Sequence, residues 1–457
     1  MPGRRWWPPP LPPCGSASVA ETAPDWQELH RQAHELQEEG AWEAAATALR
    51  AALRLRPGDA GLRRALALLG SRAALVGRLI DEGVALVAQD RIAEAEASFR
   101  AVLRQAPRSV VARGNLAALL LRRGRPEQAL AAFDTALALA PGSLDAERVR
   151  ADRATARLLL GDFAGGWADF EARWRLPGYR EAAAAIAPPR WTGAEPLAGR
   201  RLLLWAEQGY GDTLQFVRYA PLAAARGATV LLRVPPALTR LLAGMPGVAE
   251  VHDMRAEPPP ADLSCPLLSL PLAFGTTPDS IPAQVPYLAA DPARVAAWRG
   301  RLAGLPGRRV GLVWAGGLHP DEPDAQLMDR RRSMPLSALA PLAGVEGVRF
   351  VSLQVGPASG QAPPPGLVLH DWTDELHDFA DTAALVAALD LVIGVDTAVV
   401  HLAGALGRPV WLLNRFDTCW RWLLHRDDSP WYPTLRQFRQ AAPGDWAGVA
   451  ARVAAAL

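Results

Sequence analysis

Residues 395–401, VDTAVVH, place an acid, a hydroxyl and an imidazole where an apolar stretch passes into helical periodicity. Asp396 lies at a predicted strand end, and Thr397 lies where the next helix begins. The free backbone N–H groups and the positive dipole end of a helix start suit a diphosphate. His401 follows Thr397 by one helical turn, on the same face. The same residues also permit a structural interpretation, with Asp396 as an N-cap and His401 as a packing residue.

Residues 209–213, GYGDT, place two glycines and an acid directly after another apolar run. Gly209 and Gly211 predict a flexible loop, and Asp212 would lie at the mouth of a cleft. There Asp212 would act as a general base that deprotonates an acceptor hydroxyl. The alternative is helix N-capping, because an Asp just after Gly is a common helix start.

Every basic side chain of the chain is Arg, since none of the 49 basic residues is Lys. Arg330, Arg331 and Arg332 are predicted in a loop after an apolar run at 309–315. A guanidinium binds a diphosphate bidentately and stabilises a leaving nucleotide without metal. No Asp-x-Asp pair occurs, so the usual carboxylate clamp for a divalent ion is missing. The alternative is an ordinary solvated loop.

Alternation of short apolar runs with helical segments predicts two α/β lobes with a cleft between them. Ligands of open parallel sheets bind beyond the carboxyl ends of the strands. Gln354 follows one such run and would approach a nucleotide there. The strands are predicted at 201–206, 228–234, 248–251, 309–315, 348–354, 367–370, 389–396 and 409–414.

The stretch from residue 26 to about 179 has helical periodicity interrupted by Gly and Pro. Pro107 and Pro141 are 34 residues apart, a spacing that resembles the tetratricopeptide repeat. Small residues such as Gly83 let two helices approach, and Phe99 fills the gap between them. An additional helix is predicted near 62–75. The array is either a helical spacer or a concave surface that holds an acceptor, a peptide or a partner protein.

Four motifs together resemble the heptosyltransferase-related GT-B glycosyltransferases of glycosyltransferase family 9. They are GYGDT at 209–213, GLVWAG at 311–316, RRRSMPL at 330–336 and DLVIGVDTAVVHLAGALGRPVWLL at 390–413. The fusion to helical repeats resembles bacterial proteins distantly similar to protein O-linked N-acetylglucosamine transferases. The resemblance implies that Asp396, Thr397 and Ala398 contact a nucleotide-sugar donor, and it supports Asp212 as the base. The predicted donor-binding set is Arg332, Gln354, Asp396, Thr397, Ala398 and His401, with Gly209 and Gly211 as loop glycines.

These expectations describe an α + α/β multidomain protein: an N-terminal TPR-like solenoid followed by two Rossmann-like lobes in a GT-B arrangement. The predicted parts are a disordered Pro-rich leader at 1–25, repeats at 26–180, a linker at 181–199, an acceptor lobe at 200–300 and a donor lobe at 301–457 with a terminal helix. The predicted partners are the nucleotide-sugar donor, a glycan, lipid-linked or protein acceptor, and a protein partner on the repeat surface. No cofactor or metal is expected.

Composition narrows the alternatives. The 49 basic residues nearly cancel 47 acidic ones, which argues against a nucleic-acid partner. The three cysteines form no CxxC pair, so a reducing, cytoplasmic compartment is expected. No transmembrane segment is expected. A non-catalytic repeat scaffold with a degenerate transferase module remains the alternative. A dehydrogenase ranks last because no GxGxxG follows a strand.

Overall fold

The computed structural model describes residues 25–317 and 323–457. The predicted leader at 1–25 lies outside the described residues except for Asp25. The chain divides into two compact units, one ending at Gly77 and the other running from Arg78 to Leu457. No helix in the described part of the chain is both long and apolar enough to cross a membrane.

The first unit contains two helices that pack against each other, α1 (Trp26–Glu39) and α2 (Trp42–Leu55). Asp25 caps α1 by accepting a hydrogen bond from the backbone N–H of Glu28, 2.8 Å away. Gly40 ends the helix in the left-handed conformation, which glycine adopts without a Cβ penalty. Alanine and leucine side chains from both helices form the buried seam of the pair.

The next helix, α3 (Ala60–Ala88), corrects the prediction of a separate helix near 62–75. That segment and the helix that carries Gly83 are one continuous helix, because neither Gly70 nor Gly77 interrupts the backbone hydrogen bonding there. The predicted close approach at Gly83 is confirmed. A Cβ at this position would lie 2.5 Å from Cε1 of Phe99, so only glycine leaves room for the ring.

Six further helices complete the helical part of the chain. They are α4 (Ile92–Gln105), α5 (Val110–Arg122), α6 (Pro126–Leu137), α7 (Leu144–Leu159), α8 (Phe163–Phe170) and α9 (Tyr179–Ala184), with a 3₁₀ turn at Glu171–Arg175. Consecutive helices pack as pairs, and buried alanines line their contacts. Small side chains at these positions let the helix backbones approach closely.

The first α/β lobe contains a parallel four-stranded sheet in the order β3-β2-β1-β4. Its strands are β1 (Arg201–Trp205), β2 (Thr229–Val234), β3 (Glu250–Asp253) and β4 (Leu263–Pro266). The helices are α10 (Tyr210–Phe216), α11 (Ala220–Ala225), α12 (Pro236–Leu242), α13 (Leu270–Ala273) and α14 (Pro292–Leu302). Strand β3 begins two residues later than predicted, and β4 was missed because its sequence, LSCP, is too short to show a period.

The second lobe contains a parallel six-stranded sheet in the order β10-β9-β8-β5-β6-β7. Its strands are β5 (Arg308–Val313), β6 (Val348–Ser352), β7 (Leu369–His370), β8 (Leu391–Val395), β9 (Val410–Asn414) and β10 (Leu435–Arg439). The helices are α15 (Pro323–Arg332), α16 (Phe379–Ala388), α17 (Ala398–Ala405) and α18 (Trp446–Ala456). Strand β10 was not predicted, since its alternating sequence LRQFR lacks an apolar run.

The predicted fold class, a TPR-like helical part followed by α/β lobes, is confirmed. One large buried cluster joins Trp167 near the end of the helical part, Phe216 in the first lobe and Trp431 in the second. The aromatic segment around Trp420 and Trp431 therefore packs the parts of this unit together. The opposite face of the second sheet buries a separate core against α18.

Candidate functional site

Two post-strand loops, one from each lobe, lie at the points where the strand order of each sheet reverses. In the first sheet the chain moves from β1 to β2 and β3 and then returns to the other side of β1. In the second it moves from β5 to β7 and then returns beside β5 with β8. GYGDT follows β1, and VDTAVVH includes the end of β8. Such switch points form the crevices in which α/β proteins bind ligands.

The two loops meet where α10 packs against α17. A Cβ at Gly211 would lie 2.8 Å from Cδ2 of His401 and 3.6 Å from Cα of Ala398. Gly211 is thus required for the close approach of the two lobes. The structure thereby brings Gly211, Ala398 and His401 into one place, although they come from separate sheets.

Asp212 lies in the first turn of α10, and both of its oxygens have partners. Oδ2 accepts a hydrogen bond from the backbone N–H of Gly209 at 3.0 Å. Oδ1 accepts one from Arg421 Nη2, so a salt bridge crosses between the lobes. Arg421 also donates from Nε to Gln215 Oε1 at 2.7 Å. Burial by itself would lower the pKa of Arg421, but the charge of Asp212 raises it above its usual value.

The partly buried Asp396 and the buried His401 lie next to each other in the second lobe. The Nε2 of His401 lies 3.8 Å from Asp396 Oδ1, and its Nδ1 lies 2.9 Å from the hydroxyl of Tyr432. The ring also stacks on Trp422, with ring centroids 5.3 Å apart. Burial lowers the pKa of His401 to about 3, against the opposing charge of Asp396. The imidazole is therefore neutral at neutral pH.

Thr397, not Asp396, is the N-cap residue of α17, which corrects the N-capping alternative for Asp396. The Thr397 side chain makes no capping bond, and its buried Oγ1 has no hydrogen-bond partner. Burial by itself would raise the pKa of Asp396, but nearby positive charge lowers it, from His401 when the imidazole is protonated and from Arg332 and Arg415. Because His401 is neutral, the two guanidinium groups supply that charge at neutral pH.

Arg332 lies at the end of α15, so the prediction that the three arginines occupy a loop was wrong. The residues before Arg332 have only weak helical periodicity, so this helix was not predicted. Arg332 Nη1 donates to the carbonyl oxygen of Asp396 at 3.0 Å, and its Nε donates to Asp329 Oδ1 at 2.7 Å. Arg331 pairs with Asp417, and Arg330 donates to the carbonyl of Ala88 at 2.7 Å. Of these three arginines, only Arg332 is hydrogen-bonded to the 395–401 loop.

Gln354 is buried beyond the end of β6 and contacts the protein's own backbone. Its Oε1 accepts from the backbone N–H groups of Trp314 and Ala315, at 3.0 Å and 2.8 Å. Its Nε2 donates to the carbonyl of Val355 at 3.1 Å. The side chain therefore shapes the turn after β5, and direct contact with a donor stays a prediction.

Two further cations of the site, the buried Arg415 and the partly buried Arg421, were not singled out in the sequence analysis. Arg421 lies between Trp420 and Trp422, and Arg415 directly follows β9. The signal that could have found them is a charged residue within a run of buried aromatic and apolar residues, since unpaired charges are rarely buried there. Together with Arg332, they make the surroundings of Asp396 strongly cationic.

Within residues 25–317 and 323–457, no group of three or more His, Cys, Asp or Glu side chains is placed to hold a metal ion. The side chains that converge on the cleft are instead guanidinium groups and single carboxylates.

Comparison with known proteins finds family models that match two parts of the chain. The tetratricopeptide repeat model matches residues 80–143, and the glycosyltransferase family 9 (heptosyltransferase) model matches residues 377–413. The second match spans α16, β8, α17 and most of β9, and so includes the whole 395–401 loop. The predicted resemblance to a TPR protein with a glycosyltransferase module is confirmed.

A curated relative, Protein FlbA of Caulobacter vibrioides, is 33% identical over 386 residues, which cover 79% of this chain. The chain spans 63% of the length of that relative. Among solved structures, the chain is similar to a family 9 glycosyl transferase from Veillonella parvula, with a TM-score of 0.39 and 11% identity over 54% of this chain and 88% of the other. It is also similar to ADP-heptose lps heptosyltransferase II of E. coli, with a TM-score of 0.37 and 14% identity over 53% and 92%.

Proposed function

We propose that this protein transfers a sugar from a nucleotide-diphosphate donor to a hydroxyl acceptor. The observation that carries the proposal is the meeting of the two post-strand loops at Gly211 and His401. Each loop lies at the switch point of its own sheet, and one of them lies within the match to the family 9 model. A crevice between two such loops offers one wall to the donor and the other to the acceptor.

The second lobe binds the donor in this proposal. The backbone N–H groups at the start of α17, from Thr397 and Ala398 onward, face the diphosphate, where the helix dipole favours negative charge. The unpartnered Thr397 hydroxyl donates to a donor oxygen. Arg332, held against the carbonyl of Asp396, stabilises the charge that develops on the leaving nucleotide diphosphate. A guanidinium supplies this stabilisation without a metal ion.

Asp212 acts as the general base on the acceptor side. The acceptor oxygen attacks the anomeric carbon while its proton passes to an Asp212 oxygen. The bond from that carbon to the diphosphate oxygen breaks, and the nucleotide diphosphate leaves with the electron pair. Each carboxylate oxygen has two acceptor directions, so the contacts with Gly209 and Arg421 leave room for a hydroxyl.

The alternative function is a non-catalytic binding module. The observation that favours it is the salt bridge between Asp212 and Arg421, since a carboxylate paired with a guanidinium from the other lobe can be a purely structural contact. In that case the chain would bind partners through its repeats and would show no turnover with any donor.

The domain organisation belongs to the proposal as well. We assign residues 200–300 to the acceptor lobe, residues 301–457 to the donor lobe, and the repeats to presenting the acceptor or a protein partner. A cytoplasmic location fits Cys265 and Cys419, which are both free thiols, because disulfides are rare in reducing compartments.

A thermal-shift panel of the purified protein tests the donor site. The ligands are UDP, ADP, GDP and their sugar conjugates, each with and without EDTA. A bound ligand raises the melting temperature by mass action, so a melting-temperature increase with only one of the nucleotides identifies the nucleotide base that the donor carries. We expect one nucleotide to raise the melting temperature of the protein by the same amount with and without EDTA. The absence of any shift would favour the binding module.

A further inference from the structure

Arg173 is a buried arginine that the proposed reaction does not use. It lies in the 3₁₀ turn at Glu171–Arg175, directly after α8, and its exposed fraction is 2%. The turn belongs to the helical part of the chain, outside both α/β lobes. Arginine is almost never this buried unless its charge is paired. The burial therefore indicates that the guanidinium holds a specific partner.

The hydrogen bonds of Arg173 account for all five N–H groups of a guanidinium. Nε and Nη2 bind the two carboxylate oxygens of Glu207, at 2.9 Å and 2.8 Å. Nη2 also donates to Ser269 Oγ at 3.0 Å. Nη1 donates to the carbonyl oxygen of Phe170 at 2.9 Å and to Glu171 Oε1 at 3.0 Å. The guanidinium is therefore fixed in one orientation, with its two-point contact aimed at Glu207.

Glu207 is enclosed as completely as Arg173. Its side chain is 2% exposed, and its Oε1 also accepts from the backbone N–H of Leu268 at 3.3 Å. Leu268 lies in the 3₁₀ turn at Leu267–Ser269, directly after β4, whereas Glu207 follows β1 by two residues. The ion pair therefore joins three segments: the end of the helical part, the loop after β1 and the turn after β4.

The geometry of this pair supplies more than stability. Burying two charges costs solvation, and apolar residues of similar volume often stabilise a fold as well as a buried ion pair does. What the pair between Arg173 and Glu207 adds is direction, because two parallel N–H···O bonds fix the plane of the carboxylate. The position of Glu207 is thus set by a side chain from another part of the molecule.

Glu207 belongs to the short loop that leads to Asp212. The backbone N–H of Ala206 still donates to a carbonyl oxygen of β2, at 2.9 Å, so the sheet fixes the chain up to this residue. Glu207 comes next, and only Gln208 separates it from Gly209. The backbone N–H of Gly209 in turn donates to Asp212 Oδ2 at 3.0 Å. A displacement of Glu207 would therefore move the backbone group that orients Asp212.

We infer that Arg173 is a positioning residue for the proposed base. It holds Glu207, and through Gly209 it keeps Asp212 in the orientation in which its carboxylate takes the proton of the acceptor hydroxyl. Arg421 holds the other Asp212 oxygen from the second lobe. The inference rests on the proposed function, because the role of Asp212 is proposed there. The end of the helical part then shapes the acceptor side of the site in addition to any role in presenting an acceptor.

Arg173→Lys in the full chain tests the inference. Lysine keeps the charge but loses the planar fork. Amide hydrogen exchange of residues 207–213 is the first measurement, because it reports on the loop without any turnover. We expect exchange there to become at least about tenfold faster, since a charge-assisted contact that holds the loop is lost. Arg153→Lys is the matched control. Arg153 makes the same two-point contact, to Asp169 at 2.7 Å and 2.8 Å, within the helical part. It should leave the exchange of residues 207–213 unchanged.

The kinetics of the same variants are the second measurement, made with radiolabelled donor. We expect Arg173→Lys to lower kcat about 10- to 100-fold, because a small displacement of a reacting group is costly. The KM for the donor and the nucleotide thermal shift should stay unchanged, since the donor wall belongs to the other lobe. Arg153→Lys should keep the full kcat. This separation of kcat from KM is not expected of a pair that only joins the helical part to the lobe.

Unchanged loop exchange in Arg173→Lys, or faster exchange with full kcat, would overturn the inference. If the unmodified chain turns over no donor, faster loop exchange still supports the anchoring by Arg173, and only the transfer reaction fails. Ser269→Ala is the milder variant, to be used if Arg173→Lys does not fold. It removes one acceptor of the guanidinium and no charge, so we expect loop exchange about threefold faster. Exchange equal to that of the unmodified chain would contradict the inference there as well.

Discussion

Asp212 and Asp396 occupy equivalent places in the two lobes and have different surroundings. Each follows a strand at a switch point and precedes or begins a helix. Asp212 lies within the first turn of α10 and folds back over the N–H of Gly209, so that it reaches Arg421 across the cleft. Asp396 precedes the N-cap of α17, beside neutral His401 and among guanidinium groups. Helix α10 begins before Asp212, whereas helix α17 begins after Asp396. This difference in the position of the acid distinguishes the candidate base, Asp212, from the candidate donor-site residue, Asp396.

The largest expected effect comes from the acid of the first lobe. Asp212→Asn keeps the side-chain shape but removes the base, so we expect kcat to fall about 10²–10⁴-fold. The nucleotide thermal shift should persist, because the donor wall belongs to the other lobe. Turnover is measured with radiolabelled donor. Asp279→Asn, at an exposed position of the same lobe, is the control and should be fully active. Full turnover by Asp212→Asn would remove it from the reaction.

Replacing Asp396, the acid of the second lobe, should weaken donor binding. We expect Asp396→Ala to weaken nucleotide-sugar binding about tenfold or more, since a buried carboxylate accepts hydrogen bonds from donor hydroxyls. Isothermal titration measures the dissociation constant.

Asp390→Ala is the matched control for Asp396→Ala. Asp390 lies at the other end of β8, away from the 395–401 loop, and its carboxylate pairs with Arg309. Donor affinity should be unchanged there. Tighter binding by Asp396→Ala would contradict the proposal, because it would mean that the carboxylate only opposes Arg332 and Arg415.

The contact between the two loops can be broken by one methyl group. Gly211→Ala places a Cβ 2.8 Å from the ring of His401, which α17 holds in place. We expect a loss of about 1–3 kcal/mol in the free energy of unfolding, as for other overpacked sites. Urea denaturation measures it. Gly209→Ala should cost less, since its closest neighbour is the Asp212 carboxylate at 3.3 Å. Equal costs would show that the loops do not constrain each other.

The smallest effect concerns the neutral state of His401. Its pKa is about 3 in the folded protein and 6.5 as an ordinary value, so the unfolded chain binds the additional proton between these values. Stability from this group is complete above the unfolded pKa and decreases as the pH falls. From about pH 7.5 to about pH 5.5 we expect a loss of about 1.4 kcal/mol.

His401→Asn should remove that part of the pH dependence, whereas His34→Asn, at an exposed position, should keep it. Chemical denaturation at the two pH values provides the comparison. An unchanged pH slope in His401→Asn would show that the histidine is not held neutral by the fold.

Local patterns carried much of the prediction. Gly209 and Gly211 after a short apolar run indicated the loop after β1, and Asp396 and Thr397 at the end of another run indicated the loop after β8. The pairing of Gly83 with Phe99 indicated close helix packing. The helix before Arg332 and the strand β10 were missed, because neither has a clear apolar period. Gln354 was placed correctly beyond a strand, yet its amide contacts the backbone after β5, which no local pattern encodes.

The sequence by itself determined the order of the parts: helical repeats, then strand–loop–helix units with their acids at the loop ends. Only the tertiary structure decided that Arg421 meets Asp212, a partner 209 residues away, and that Gly211 touches His401. It also decided that His401 is neutral. The physical reason is that periodicity reports on neighbours within a turn or a strand. Pairing across lobes and the cost of burying charge depend on groups that only the fold brings together.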